Sequence, residues 1–220
     1  MGPDVQSREV TVQQTLLPLC PFPPLPWWGA VLGGDVVLDG LEHYPKRTFR
    51  NRYHIMQSTG AVCQTVPVER RGGRPRPQDA TMRMTGEPDR KAWQAVKTAY
   101  GRTPYFEEMS GELEALFRNG PASLGGWNRA TMAWAASWLG IAVPLDATPE
   151  ERLVCAPCSM MDLMASAAVH VRPRWPHVWQ DRQPHIPYER LGILDLLLHL
   201  GPEAVSLITP TPPSAPQRRG

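Results

Sequence analysis

The chain has 220 residues, an apolar fraction of 42% and a net charge of only +2. This size and composition suit one globular domain with a sizeable core. The near-neutral charge argues against a nucleic-acid-binding protein, which presents a dominant basic surface. No apolar run reaches about 18 residues, so no membrane span is predicted.

The N-terminal half is predicted to be rich in strands. Residues 1–10 form a polar leader that we expect to be flexible, and they lack the charged-then-apolar pattern of a secretory signal. The chain is therefore expected to be cytoplasmic. Apolar runs at 12–19 and 35–38 have the length of buried strands, and a short helix is expected between them at 28–32.

The stretch 42–56, EHYPKRTFRNRYHIM, concentrates positive charge in an otherwise balanced chain. If a strand begins at Thr48, then Arg50, Arg52 and His54 share one face with it, because side chains alternate along a strand. Guanidinium groups on that face would bind carboxylates or phosphates. The same alternation also describes an ordinary antiparallel strand with one face in solvent, and spacing alone does not separate the two interpretations.

A hairpin is predicted next, because runs at 53–56 and 61–68 flank the turn residues 58–60, Ser-Thr-Gly. The remainder of the chain is predicted to be mostly helical. The predicted fold is therefore α/β (mixed α+β) in one compact domain at 11–208, with a strand-rich N-terminal half and a helical C-terminal half. Residues 209–220 form a proline-rich tail that we expect to be disordered.

The helical half carries recognisable end signals. Helices are predicted at 89–100 and 104–117, and a third is expected to be capped by Asn128. A last helix carries a buried leucine stripe and stops at Gly201-Pro202. Asp195 lies within that apolar helix, and a buried carboxylate requires a cation or a donor. We predict Arg50 or Arg52 as its partner.

The cysteines suggest no metal site or cofactor. Cys155 and Cys158 form a lone CxxC, and a zinc ribbon would need a second pair. Cys20 and Cys63 stand in apolar surroundings and are expected to be buried thiols. Neither a GxxxxGK loop nor a GxGxxG turn is present, which argues against a kinase and a nicotinamide enzyme.

Four segments together resemble the WbqC-like family. They are EHYPKRTFRNR, a strand ending TVPV, the pattern AWxxxxxAYGxxPYF and LGILDLLxxLGPEA, and they span most of residues 15–208 in the family's order. The resemblance implies a bacterial cytosolic protein associated with surface-polysaccharide (O-antigen) biosynthesis. A transferase acting on an activated sugar precursor is the activity that it suggests.

The resemblance also assigns residues to a site. Catalytic roles fall on Glu42, Tyr44 and Lys46, with Glu42 as a candidate general base. The residues expected to bind a small anionic substrate are Thr48, Arg50, Asn51, Arg52, Tyr100, Tyr105 and Asp195. In this hypothesis the cations stabilise charge that grows in the transition state. No oligomeric state is predicted.

The chain departs from the family pattern at three places. Leu41 and Ala92 occupy positions where the family often has histidine, and His199-Leu200 replaces an asparagine-glutamate pair. These departures favour a second hypothesis, a non-catalytic binding or assembly protein that uses the same basic surface. Nucleic-acid binding is a third and weaker hypothesis, because no known motif accompanies the basic residues.

Overall fold

The computed structural model describes residues 14–42, 49–69, 87–167, 174–183, 185–186, 188 and 191–210. Within these ranges the fold is mixed α/β, with strands concentrated in the N-terminal half and helices in the C-terminal half, as predicted. The leader at 1–10 lies outside the described residues, as does 211–220 of the predicted tail. The extent of the single domain therefore stays a prediction.

A small parallel sheet organises the N-terminal part. Strand β1 (Thr15–Pro18) is followed by helix α1 (Leu25–Gly33) and then by strand β2 (Val36–Asp39). Strand β2 pairs with β1 in parallel. A two-residue strand, β5 (Ala156–Pro157), pairs in parallel with the other side of β1, so the order is β2-β1-β5. Parallel neighbours need a crossover connection, which α1 supplies between β1 and β2.

Helix α1 begins earlier than predicted and carries two buried tryptophans. Pro24 is its N-cap and Pro26 lies in its first turn, where a missing backbone N–H costs nothing. The helix was predicted to begin only at Trp28, but Trp27 also lies inside it, and both indole rings are fully buried.

The predicted hairpin is present. Strand β3 (Arg52–Gln57) pairs antiparallel with strand β4 (Gly60–Thr65). The strand was predicted to begin at Thr48, and this is wrong for Phe49–Asn51, because these residues form a 3-10 turn. The strand begins at Arg52. From Arg52 onward the alternation is as predicted, since Arg52 and His54 are half-exposed while Tyr53 and Ile55 are buried.

Helices make up most of the described residues after β4. They are α2 (Glu87–Tyr100), α3 (Phe106–Asn119), α4 (Leu124–Leu139), α5 (Pro149–Val154), α6 (Met160–Ala167) and α7 (Ile193–Leu200), and a 3-10 turn at Gly201–Leu207 follows α7. The predicted stop at Gly201-Pro202 is confirmed. Among the described helices, none has both the length and the apolar character needed to cross a membrane.

The predicted cap of α4 is wrong. Ser123 caps this helix, because its hydroxyl accepts the Gly126 N–H at 3.1 Å. Asn128 instead lies inside α4 and is fully buried. Its side chain is therefore available for a contact with another part of the fold.

The CxxC cysteines lie on opposite faces of the parallel sheet. Cys158 packs into the main hydrophobic core, whereas Cys155 belongs to a separate cluster with Leu16, Val37 and Ala147. The intervening residues are the strand β5, and neighbouring side chains along a strand point to opposite faces. Cys63 is exposed on the hairpin, so the prediction that it is buried is wrong, while Cys20 is buried as expected.

We expect that oxidation does not join Cys155 and Cys158 in a disulfide. Three residues of extended chain separate their Cα atoms by roughly 10 Å, and a disulfide needs less than about 7 Å. Mass spectrometry of peptides from the folded, oxidised protein checks this, with Cys63 as the internal control because its exposed thiol reacts with alkylating agents first. A quantitative Cys155–Cys158 disulfide in the folded protein would contradict the arrangement.

Candidate functional site

The carboxyl ends of β1 and β2 lie next to the basic stretch. Ligands in open α/β sheets bind at this edge. Glu42 follows β2, and its Oε2 accepts hydrogen bonds from Nε of Arg50, at 2.7 Å, and from Nη2 of the same guanidinium. The Arg50 side chain is only 11% exposed, so Glu42 neutralises a largely buried charge.

Cys20 lies near the same guanidinium. Burial raises the pKa of the Cys20 thiol far above its usual value, and the positive charge of Arg50 only partly opposes this shift. Cys20 is therefore a protonated thiol at neutral pH. A nucleophilic cysteine needs a lowered pKa, so Cys20 is unsuited to that role.

Two asparagines frame the 3-10 turn at Phe49–Asn51. The Asn128 amide N–H donates to the Arg50 carbonyl at 2.8 Å, which joins α4 to the turn. The Asn51 amide N–H donates to the Val66 carbonyl at 2.9 Å, and the Val66 N–H donates back to the Asn51 carbonyl at 2.8 Å. These bonds fix which way each side-chain amide points.

Three buried polar atoms at this turn have no hydrogen-bond partner. They are the side-chain oxygens of Asn51 and Asn128 and Nε of Arg52. Elsewhere in the described chain, the buried side-chain polar atoms without a partner are all tryptophan indole N–H groups. Buried polar groups are normally paired, because leaving one unpaired costs about 1–3 kcal/mol. The unpaired atoms therefore concentrate where the sequence predicted a site.

Arg52 lines a narrow cleft between the hairpin, the loop after β1 and the start of α7. The cavity volume is about 10 Å³, room for one water-sized group. Other lining residues are Cys20, Phe22, Phe49, Tyr53 and Gly192. Gly192 permits the close approach of the two loops, since a Cβ there would lie 2.7 Å from the Phe22 carbonyl oxygen.

The loop that forms one wall of this cleft is strained. Phe22 has a φ of 42°, a conformation that bulky residues rarely adopt, and it lies between two prolines. Its N–H donates to the Thr131 hydroxyl at 3.2 Å, and its ring contacts Tyr53 and Trp134. Such strain persists where packing enforces it and is common at ligand sites.

Tyr100 and Asp195 come together in a second, fully buried cluster. The Tyr100 hydroxyl donates to Oδ2 of Asp195 at 2.8 Å and accepts the Met56 N–H at 3.0 Å. The indole N–H of Trp175 donates to Oδ1 at 3.0 Å, and Nε2 of His177 lies 3.2 Å from Oδ2. The prediction that Arg50 or Arg52 pairs with Asp195 is wrong, because these neutral donors occupy the carboxylate.

The donors around Asp195 keep it ionised. Burial would raise the pKa of Asp195, but hydrogen bonds from His177 and His199 outweigh burial and hold the pKa well below its usual range. Burial and the adjacent carboxylate raise the pKa of Tyr100, so its hydroxyl stays protonated. The cluster joins α2, α7 and the segment 174–183 through one charged acceptor.

This cluster resembles a metal site in composition but not in hydrogen bonding. Ligand atoms of His177, Asp195 and His199 lie within 4.8 Å of one another. However, Nδ1 of His177 accepts the Trp179 N–H at 3.2 Å, and Nε2 of His199 accepts the Val178 N–H at 3.3 Å. The other nitrogen of each ring faces an Asp195 oxygen. Both nitrogens of each imidazole are thus engaged within the described part of the chain.

The remaining predicted residues divide into two groups. Tyr44, Lys46 and Thr48 lie outside the described residues. Tyr105 does not line the Arg52 cleft; its N–H donates to the Leu198 carbonyl at 3.2 Å and its ring packs against Gly201. The described predicted residues therefore lie in two places. Arg50, Asn51 and Arg52 lie at the 3-10 turn, and Tyr100 and Asp195 lie in the buried cluster at α7.

Several residues of these clusters were not predicted from the sequence. Asn128 was interpreted as a helix cap, and Trp175 and His177 lie in a proline-rich stretch without a ligand spacing. The concentration of histidine and aromatic residues in that stretch was the available signal. It indicates polar contacts but does not identify their partner.

The fold and the site define a mixed α/β protein with a narrow cleft, lined by Arg52, at the carboxyl edge of its parallel strands. A model of the WbqC-like protein family matches residues 31–156, more than half of the chain. The chain belongs to this family. No curated protein and no solved structure matches it. The matched range contains Glu42, Arg52 and Asn128 but ends before Asp195.

Proposed function

We propose that the chain is a transferase-type enzyme of bacterial surface-glycoconjugate biosynthesis, which holds an anionic activated precursor at the Arg52 cleft. The observation that carries this proposal is the unpaired Nε of Arg52, which lines the cleft, together with the unpaired side-chain oxygens of Asn51 and Asn128 at the neighbouring turn. Family membership supports it, because the match covers all three residues. The cytoplasmic location that the sequence favours is part of the same proposal.

The unpaired atoms describe the ligand. The Nε–H of Arg52 is a cationic donor and takes an anionic oxygen, such as one from a phosphate or carboxylate. The oxygens of Asn51 and Asn128 accept hydrogen bonds and therefore take hydroxyl or amine hydrogens. A sugar phosphate or nucleotide sugar combines both kinds of group, and the cleft has room for one of its anionic oxygens beside Arg52. Arg50 supplies less binding charge, because Glu42 already neutralises it.

In the transfer step, the bond between the transferred group and its phosphate oxygen breaks, and negative charge grows on that oxygen. Arg52 stabilises this charge. A new bond forms to an acceptor hydroxyl, whose proton passes to a base. Glu42 is our candidate, since both hydrogen bonds from Arg50 fall on its Oε2 and leave Oε1 for a proton. Tyr44 and Lys46 remain expected contributors.

A non-catalytic binding or assembly protein is the second candidate function. Glu42 is committed to an ion pair, and Leu41 and Ala92 replace histidines expected from the family. In this role the same cleft holds the anionic ligand without changing it. Release of free nucleoside diphosphate from a bound nucleotide sugar distinguishes the two functions, because only an enzyme produces it.

Substitution of Arg52 by glutamine tests the anion site. We expect Arg52→Gln to weaken binding of uridine diphosphate-sugars, measured by calorimetry, by roughly 10- to 100-fold, since a hydrogen bond to a charged group contributes about 1.5–3 kcal/mol. Arg118→Gln is the matched control, because Arg118 is 48% exposed and pairs only with Glu114 in the described part of α3. Equal affinity for wild type and a folded Arg52→Gln would refute the site.

A further inference from the structure

A second cleft adjoins the Arg52 cleft at Tyr53. The end of β4 and the residues just after it, Gln64–Pro67, form one wall, and Lys91 and Ala92 of α2 form the other. Its cavity volume is about 180 Å³. This is smaller than the roughly 300–1,000 Å³ of sites for drug-sized ligands. The cleft is therefore suited to a single small ring and not to a nucleotide.

The two clefts share one wall residue. Tyr53 lines both of them. In addition, Val66 of the second cleft exchanges two hydrogen bonds with Asn51, whose side-chain oxygen is one of the unpaired acceptors. A group bound in the second cleft thus lies beside the turn that carries Arg52.

The walls combine polar and apolar groups in a pattern that suits a sugar. Pro67 and Ala92, both half-buried, provide apolar surface, which matches the C–H face of a pyranose ring. Gln64 and Thr65 provide an amide and a hydroxyl that make no hydrogen bond to the described part of the chain. These groups donate to and accept from hydroxyls. Among the described residues that line the cleft there is no carboxylate to select a cation.

We infer that this second cleft is the acceptor subsite and binds one neutral monosaccharide unit. This inference rests on the proposed function. The Arg52 cleft has room for a single anionic oxygen of the donor, and the acceptor approaches from the β4–α2 side. The small side chain of Ala92, at a position where the family often has histidine, leaves the cleft open for the ring.

The test follows backbone amide signals by NMR while N-acetylglucosamine or glucose is added to the full chain at millimolar concentration. We expect shifts at Gln64, Thr65 and Ala92. Ala92→Phe, which fills the cleft, should weaken sugar binding at least tenfold and leave uridine diphosphate binding within about twofold. Ala115→Phe is the matched control, because Ala115 is exposed on α3. Gln64→Ala is a second variant that removes a half-exposed side chain without filling the core.

The outcomes separate this inference from the proposed function. Sugar binding that survives both Ala92→Phe and Gln64→Ala, or no shift at these amides in wild type, overturns the acceptor subsite. If uridine diphosphate binds wild type and Arg52→Gln equally while the sugar shifts depend on Ala92, the anion site fails and the sugar cleft stands.

Discussion

Asp195→Asn is expected to lower the free energy of unfolding by about 3–5 kcal/mol, the usual loss when one partner of a buried charged network is removed. Tyr100, Trp175 and His177 all direct hydrogens at the two carboxylate oxygens. An asparagine presents an N–H₂ group to at least one of these donors. His177 cannot reverse its tautomer without losing the bond to Trp179. The variant therefore leaves a buried donor without an acceptor.

The matched control is Asp146→Asn. Asp146 also accepts two hydrogen bonds, both from Arg129, but its side chain is 47% exposed. Surface ion pairs contribute about 0–1 kcal/mol, so the control should stay within that range. Urea unfolding followed by tryptophan fluorescence measures both variants. A loss below about 1 kcal/mol for Asp195→Asn would show that the network is not a determinant of stability.

The same comparison has a defined pH dependence. The pKa of Asp195 is lower in the folded state than in the unfolded chain, where it is about 3.9. Its contribution to stability is therefore fully present above that unfolded value and is lost as the pH falls towards the folded one. The difference between wild type and Asp195→Asn should be constant from about pH 5 to 7 and narrow at about pH 3.

Gly201→Ala is the second substitution with a large expected effect, because two costs add. Gly201 ends α7 with φ 57° and ψ −140°, a combination that side chains rarely permit. An added Cβ would also lie 2.3 Å from the Tyr105 ring. Backbone strain of about 1–3 kcal/mol and overpacking of about 1–3 kcal/mol predict a total loss of roughly 3–5 kcal/mol.

Gly140→Ala separates the two costs. Gly140 also has a positive φ, of 67°, but nothing lies within 4 Å of an added Cβ. It should lose only about 1–2 kcal/mol. Combining Gly201→Ala with Tyr105→Ala in a double-mutant cycle should show a coupling energy, since truncating the ring removes the clash. Equal losses for the two glycine variants would exclude the contact with Tyr105 as a cause.

Much of the fold is predictable from local chemistry. The strand at 35–38, the hairpin around 58–60 and the leucine stripe before Gly201-Pro202 were predicted within a few residues, because apolar periodicity and turn residues act over a short range. Family membership was likewise visible in short motifs, and the match at 31–156 confirms it.

The hydrogen-bond partners of the site residues were not predictable in this way. Asn128 reaches the Arg50 carbonyl across 78 positions, and Tyr100 reaches Asp195 across 95. No sequence spacing encodes such pairs, because they depend on how α4, α2 and α7 pack against the hairpin. Electrostatic reasoning alone paired Asp195 with an arginine. In the fold, Glu42 lies closer to Arg50, and neutral donors surround Asp195.

Packing also sets where the basic strand begins. A strand starting at Thr48 was predicted from alternation, but the amides of Asn51 and Asn128 hold the backbone in a 3-10 turn up to Asn51. Side-chain hydrogen bonds of this kind compete with strand ladders. Residue types and periodicity determine which segments become helix or strand. The packing of distant segments determines which buried polar groups find partners and which, like Nε of Arg52, have none.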